Sequence, residues 1–445
     1  MKSTPFKTLL ASILTWAFVS SAHADTTYIR IGGAQAFGDA VHRAIAHLFG
    51  AAAGTAIPYT LGSGNVYSYT GTNISKAQSS IWSGTIGGLP VIIKTSFTGS
   101  TDGIRIVVGS VPISFLNDSL LTGAASGGTQ LPTTGNAAET AVPDAAAADS
   151  FQGSTVFSSP TLVDRKVGAG AYVFVASKDA PVAVGTFGQP VTDASTAAAS
   201  PGTSYYPGLT NITTQQAQAL YNVGNLPLAV FTGVASDRTT TYTPTFQTAG
   251  INYPSPAQVF ATGRDYGSGS RIVTFIETGI GASSNVVQYK PTITGTSPNA
   301  VTANQVLYPA VTAANSPFGF AFPAGSDGNP SNGTLATTVL PSSTFATLGG
   351  YYVSYLPSLD AANAKAAGAH WLAYNGVSYS PAAVADGSYS LFAFEHIFYR
   401  TSATANQQTV LNTVANQLLN TDATLLLGSL HVSRPVDGGI VTPAY

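Results

Sequence analysis

The chain has 445 residues, of which 44% are hydrophobic and only 8% charged, against roughly 25% charged in ordinary soluble proteins, and its formal net charge is −2. So few charges leave no basic footprint for nucleic acid and no polybasic segment for lipid headgroups, and the surface must be wetted by Ser, Thr, Asn, Gln and backbone. Cysteine is absent, so no disulfide can staple the fold and stability has to come from buried core.

Residues 1–24 combine Lys2 and Lys7 with an apolar run from Leu9 to Val19 and the small-x-small end Ala22-His23-Ala24, the pattern of a secretory signal peptide cleaved after Ala24. That apolar core is short for a bilayer span, and no later stretch reaches about 18 uninterrupted apolar residues. With no Cys at the cleavage point, a lipid anchor is not indicated, and an exported chain of about 420 residues is expected to form two or three compact units.

TYIRIGG then reads as a strand ending in glycines, and AQAFGDAVHRAIAHLFG as a helix with Phe37, Val41, Ile45 and Leu48 on one face. LPVIIKTSF is a second strand, running through Gly99-Ser100-Thr101-Asp102-Gly103 into IRIVVGSVPISF. Residues 121–150, rich in Ala, Gly, Thr and Pro without periodicity, predict a long loop or insertion. VGAGAYVFVAS, from Val167, is a buried strand, and NITTQQAQALYNVGNL a helix with Asn211 as N-cap and Gly224 as its end. VFATG leads into Arg264-Asp265-Tyr266-Gly267-Ser268-Gly269-Ser270 and a helix with Ile272, Phe275 and Ile276 in register. GGYYVSYLPSL and SYSLFAFEHIFYR are aromatic strands, and TVLNTVANQLLNTDATLLLGSL a Leu-spaced helix. Strands alternating with helices, without a repeat, predict an α/β fold, while the Gly and aromatic content leaves an all-β alternative open.

Small residues at a helix start let unpaired backbone N–H groups and the positive end of the helix dipole meet an anion, and three such turns occur. The turn from Arg264 to Ser270 is the sharpest: Gly267 and Gly269 allow close backbone approach, Ser268 and Ser270 add hydroxyls, and Arg264 offers a fork to an oxyanion. Gly and Ser also simply make tight turns. The turn lacks the Lys-Ser/Thr ending of a nucleotide P-loop, and Gly32-Gly33-Ala34-Gln35 does not fit a dinucleotide fingerprint. No HExxH, GxSxG or clustered His/Asp spacing is present, so neither a metal site nor a hydrolase is indicated. His42 and His47 are poor joint ligands with solvated or capping roles expected, Glu395 and His396 should point to opposite faces of their strand, Glu277 should bond another element, and most of the 21 Tyr should be ordinary packing.

The segment from Arg264 to Ser270 resembles the R-x-x-G-S-G-T loop of the phosphate-binding proteins of ABC importers, with Ser270 for Thr. GGAQAFGDAV resembles the family's opening turn, with Ala36 and Phe37 at its ligand contacts, and Gly99 to Ile104 resembles its second helix start. The resemblance implies a two-lobed periplasmic-binding-protein-like α/β fold of type II with a ligand cleft between lobes. Lobe one would take 25–168, with the insertion at about 121–150, and 388–445; lobe two would take 169–387. It implies an exported protein, periplasmic or extracellular, that is no enzyme and needs no cofactor. Such a protein binds a small oxyanion, phosphate first, for an ABC importer permease. Arg264 would clamp the anion, Ser268 and Ser270 would donate hydroxyl bonds, and Gly267, Gly269, Phe37, Ser100 and Thr101 would present backbone. Asp149 is the match to the family's acidic residue, which accepts the phosphate proton and so rejects sulfate. Two departures stand out: Ala36 removes a hydroxyl, and Asp102 places a carboxylate where the family has Gly. They motivate an alternative, an extracellular or envelope structural or adhesive protein that keeps the fold without the ligand.

Overall fold

A computed structural model describes residues 25–52, 54, 57–121, 128–183, 207–234, 237, 257–294, 301–344 and 348–444. The expected signal peptide lies outside them. Twelve strands form one mixed sheet: β1 (Thr27–Gly33), β2 (Val66–Thr70), β3 (Ser79–Ile86), β4 (Leu89–Phe97), β5 (Thr129–Leu131), β6 (Ala145–Ala148), β7 (Val163–Ala176), β8 (Asn225–Pro227), β9 (Gln258–Ala261), β10 (Gly350–Pro357), β11 (His370–Trp371) and β12 (Phe392–Tyr399). Their order is β8-β9-β10-β7-β12-β6-β1-β4-β3-β2-β5, with β11 beside β7. β1 runs parallel to β4 and β6, and β9 parallel to β10, whereas β7 and β12 pair antiparallel in the middle.

Among the described residues six longer helices cover the sheet: α1 (Gln35–Leu48), α2 (Ser100–Val108), α3 (Thr214–Val223), α4 (Gly269–Glu277), α5 (Ser358–Ala366) and α6 (Ala405–Gln417). The alternation of side chains along each strand sends apolar residues to both faces, which is why the central strands read as near-continuous apolar runs. Ala145 and Ala147 join α1 and α6 in one apolar cluster, while Ala146 and Ala148 join Ile104 and Val107 of α2 in another. Farther along, Tyr172, Phe174 and Ala176 pack with α3 and α4, and Val173 and Val175 with α5. The architecture is therefore α/β in three layers. Along β7 the core changes hands between Val167 and Ala169, and along β12 between Phe394 and Ile397. The C-terminal residues Leu430 and Val432 pack with the α3 and α4 cluster, so the chain end lies against the 169–394 half of the molecule.

The stretch 121–150 is not one long loop. Residues 122–127 lie outside the described part, but β5 pairs with β2, Ala138–Ala141 pairs with Ile113–Leu116, and β6 is fully buried between β1 and β12. Alanine carries little strand signal. It is used in β6 because α2 lies close: a Cβ at Gly103 would stand 2.4 Å from the Gly33 Cα and 3.4 Å from the Ala146 Cβ. The cap of α3 also differs. Thr213 forms a capping box with Gln216, its Oγ1 accepting the Gln216 N–H at 3.2 Å and its N–H donating to Gln216 Oε1 at 2.7 Å. Asn211 instead sits in a short strand, Asn211–Ile212, paired with Ala373–Tyr374. α6 continues through a wider turn, Leu418–Asp422, and stops before the remaining leucines.

His42 is not solvated: it is fully buried, with Nδ1 2.8 Å from the Ile74 carbonyl and Nε2 3.0 Å from both Thr95 Oγ1 and Ser80 Oγ. Only a protonated Nδ1 can bond a carbonyl, so Nε2 accepts from one of the two hydroxyls, which also bond each other at 2.7 Å. His47 pairs with Asp422 at 2.8 Å. The tyrosines at 172, 221, 352, 355, 374 and 389 are core residues.

Burial pulls the His42 pKa down from 6.5 to about 4. Below pH 6.5 the unfolded chain takes up a proton that the folded one refuses, so stability is lost as pH falls from 6.5 to 4, by about 3 kcal/mol. Urea unfolding across this window should show the parent losing stability relative to His42→Gln; parallel pH profiles for the two proteins would contradict it. Gly103→Ala should cost about 1–3 kcal/mol in the same assay, because the added methyl meets backbone that cannot swing aside.

Candidate functional site

Three strands deliver the chain into a turn of small residues followed directly by a helix: β1 into α1, β4 into α2 and β9 into α4. The N-cap residues are Ala34, Gly99 and Ser268, and none makes a side-chain cap bond. A helix start without a side-chain cap leaves first-turn N–H groups to find other acceptors. All three starts open onto one cavity, lined by Ala34, Gln35 and Ala36, by Thr98, Gly99 and Ser100, and by Ser268, Gly269 and Ser270, together with Asp149, Arg264 and Asn332. Asp149 follows β6 directly, so the site gathers at the carboxyl ends of parallel strands, where open α/β sheets place their ligands.

Asp149 is buried and tied to its neighbours. The Ser100 hydroxyl donates to Oδ1, the Asp149 N–H donates back to Ser100 Oγ at 3.2 Å, and Tyr172 gives a further side-chain hydrogen bond. Burial pushes the Asp149 pKa up, against the Ser100 and Tyr172 bonds that favour the carboxylate. Backbone crowds it too, because a Cβ at Gly269 would fall 1.7 Å from Oδ1, so only glycine fits there.

Arg264, 2% exposed, is the polar anchor on the opposite side. Its Nε donates to the Asn329 carbonyl at 2.8 Å, and Nη2 to the Pro330 carbonyl at 3.1 Å and to Asp265 Oδ1 at 3.2 Å. Those bonds fix the plane of the guanidinium; Nη1 makes none among the described residues. Arg271, stacked between Tyr266 and Phe275, supports the turn by donating from Nη1 to the Arg264 carbonyl at 3.3 Å. Ser268 and Ser270 bond each other through their hydroxyls at 2.7 Å.

Arg264, Ser268, Gly269, Ser270, Ala36, Ser100 and Asp149 thus share one cavity, although they span more than 200 positions of sequence. Others named from sequence do not join them. Phe37, expected to present its backbone N–H, is buried in the core and borders a neighbouring cavity, and Gly267 lines another. The Thr101 N–H already donates to the Gly267 carbonyl at 3.2 Å, which removes it from the set of open donors. Asp102 does not aim its carboxylate at the cavity: it accepts from Arg105 at 2.6 and 2.8 Å and from the Thr98 hydroxyl at 2.7 Å. Its charge is neutralised within the first turns of α2. Gln35 and Asn332 were not anticipated; Gln35 is legible as the first residue of α1, whereas Asn332 arrives from a segment with no motif.

Among the described residues no group of three or more His, Cys, Asp or Glu could hold a metal, and no helix is long and apolar enough to cross a membrane. Glu395 bonds Thr424 while His396 bonds Asp164, so the two work on separate neighbours, and Glu277 accepts from Arg434 at 2.8 Å.

No protein-family model and no curated protein sequence matches the chain. Solved structures do. A protein described as a phosphate ABC transporter substrate-binding protein with bound phosphate, from Clostridium perfringens, is similar at a TM-score of 0.42 and 12% identity, over 90% of this chain and 100% of that one. An ABC-type phosphate transport receptor from Vibrio cholerae gives 0.38 and 11%, over 87% of this chain and 93% of that one. PstS from Borrelia burgdorferi gives 0.33 and 12%, over 88% and 97%. All three likenesses are remote.

Proposed function

We propose that the chain is an exported solute-binding protein that holds a small oxyanion, phosphate first, between two lobes and delivers it to an ABC importer permease. The observation that carries this reading is the convergence of three helix starts on one cavity with a buried Arg264 and a buried Asp149. Helix N–H groups and dipoles favour an anion, and the free edge of Arg264 adds a charge-assisted bond. Asp149 then acts as a filter. As a carboxylate it can only accept a hydrogen bond, which phosphate, carrying a proton at neutral pH, supplies and sulfate does not.

In this reading the lobes cross at β7 and β12: one takes 25–168 and the stretch from about 395 to 422, the other 169–394 and the C-terminal residues that pack with it. The turns at 98–103 and 264–270 come from different lobes and meet where Gly99 touches the Gly267 carbonyl. The cavity between them holds about 10 Å³ of free space, on the scale of a single water. A tetrahedral anion enters it when the turns part, as a hinge allows.

A second reading, an envelope protein that keeps the fold without a ligand, draws on one observation: several donors of the site already satisfy one another, Ser268 with Ser270 and Ser100 with Asp149.

Calorimetry on the chain from Asp25 onward decides between them. Phosphate should bind and sulfate should not, Arg264→Ala should weaken phosphate by about 10- to 100-fold, and Asp149→Asn should admit sulfate. Unchanged affinity in Arg264→Ala would remove the site; silence with both anions in folded protein would favour the second reading.

A further inference from the structure

Beside the oxyanion cavity lies a larger one of about 350 Å³, which shares Ala36 and Asp149 with it. Its walls are largely apolar and aromatic, with Phe37 from α1, Tyr172 from β7, Leu359 from α5, Trp371 from β11, and Tyr379. The size falls in the range of organic-ligand pockets, about 300–1,000 Å³, and exceeds what a single tetrahedral anion fills.

Charge is scarce along these walls. Asp39 and Arg43 cancel in an ion pair at 2.9 Å, and Asp149 belongs to the first cavity as well. That leaves Glu395, which is 2% exposed and lines the cavity from β12. The Thr424 hydroxyl and N–H both donate to its carboxyl, the latter at 3.2 Å. Room for the group comes from two glycines of β7: a Cβ at Gly168 would stand 2.6 Å from Glu395 Oε2, and one at Gly170 3.5 Å from Oε1. Burial pushes the Glu395 pKa up to about 8, so near neutrality the cavity faces its occupant with an uncharged carboxyl able to donate as well as accept.

We propose that the two cavities form one bipartite site for a phosphate monoester of an uncharged, aromatic or apolar alcohol, its oxyanion head at the three helix starts and its organic body between Trp371, Tyr379 and the Glu395 carboxyl. This rests on the oxyanion reading and gives its ligand a second half. A charged body has no partner on these walls, whereas a ring buries apolar surface and meets aromatic faces. Geometry links the two parts: Ala36 and Asp149 stand where the ester oxygen would pass from one cavity to the other.

The test is calorimetry at about pH 5, below the second pKa of about 6 of a phosphate monoester, so that phenyl phosphate, like inorganic phosphate, brings Asp149 a proton; it is run on the chain from Asp25 onward and on Ala362→Trp. Ala362 is exposed at the mouth of the larger cavity, so the indole can block it without entering the core. Phenyl phosphate should bind about ten-fold or more tighter than inorganic phosphate, and Ala362→Trp should abolish that advantage while leaving inorganic phosphate unchanged. Should that variant fold poorly, Leu359→Glu, at a position 51% exposed, sets a like charge at the same mouth and should give the same selective loss. Inorganic phosphate bound as tightly as phenyl phosphate, or an advantage that survives both substitutions, overturns the bipartite site and leaves the oxyanion reading standing. Binding of neither overturns both.

Discussion

The packing of Asp149 against Ser100 and the Gly269 backbone is the constraint on which the rest of the site depends. A carboxyl at the end of a central strand, buried among helix starts, is tolerable only if donors surround it, and Ser100 and Tyr172 supply them. Their placement requires α2 to begin at Ser100 and β7 to pass beneath. Gly269 must lack a side chain for α4 to approach at all. One residue thereby ties β6, β7, α2 and α4 to a single arrangement, and that arrangement brings Arg264 to the far wall. The close approach of α2 to β1, through Gly103 against Gly33, sets the same helix from its other side.

Much of this was legible in the sequence for a local reason. A strand followed by a turn of small residues and a helix is a short-range pattern, and all three examples, at Gly33, Gly99 and Ser268, form as expected. The apolar face of α1 and the aromatic strands β10 and β12 were legible by the same logic of spacing. β6 was hidden because four alanines look alike in loop, helix and strand, and only the neighbouring helix explains their size. The α3 cap shows the same limit at smaller scale: Asn211 and Thr213 are both good cap residues, and Gln216, placed to return the bond, decides for Thr213.

The electrostatics of the site were harder to anticipate, since they depend on where side chains turn rather than on which are present. Asp102 lies in the first turn of α2 and looked set to repel an anion; Arg105, three residues on, turns it aside. Thr101 looked like an open donor, yet its N–H closes onto Gly267 from the other half of the chain. Glu395 gave no signal, because its neighbours Gly168, Gly170 and Thr424 are remote in sequence and unremarkable as residue types.

The β7 and β12 pair joins both halves in a single hydrogen-bonded ladder rather than in two separate sheets. That ladder carries a register slip between Glu395 and His396 and two glycines, at 168 and 170, on the strand opposite. An irregular ladder without side chains at those points resists torsion less than a regular one. Relative movement of the halves would therefore appear as twist concentrated at this seam, with the Glu395 carboxyl at the place where the two ends of the sheet are mechanically joined.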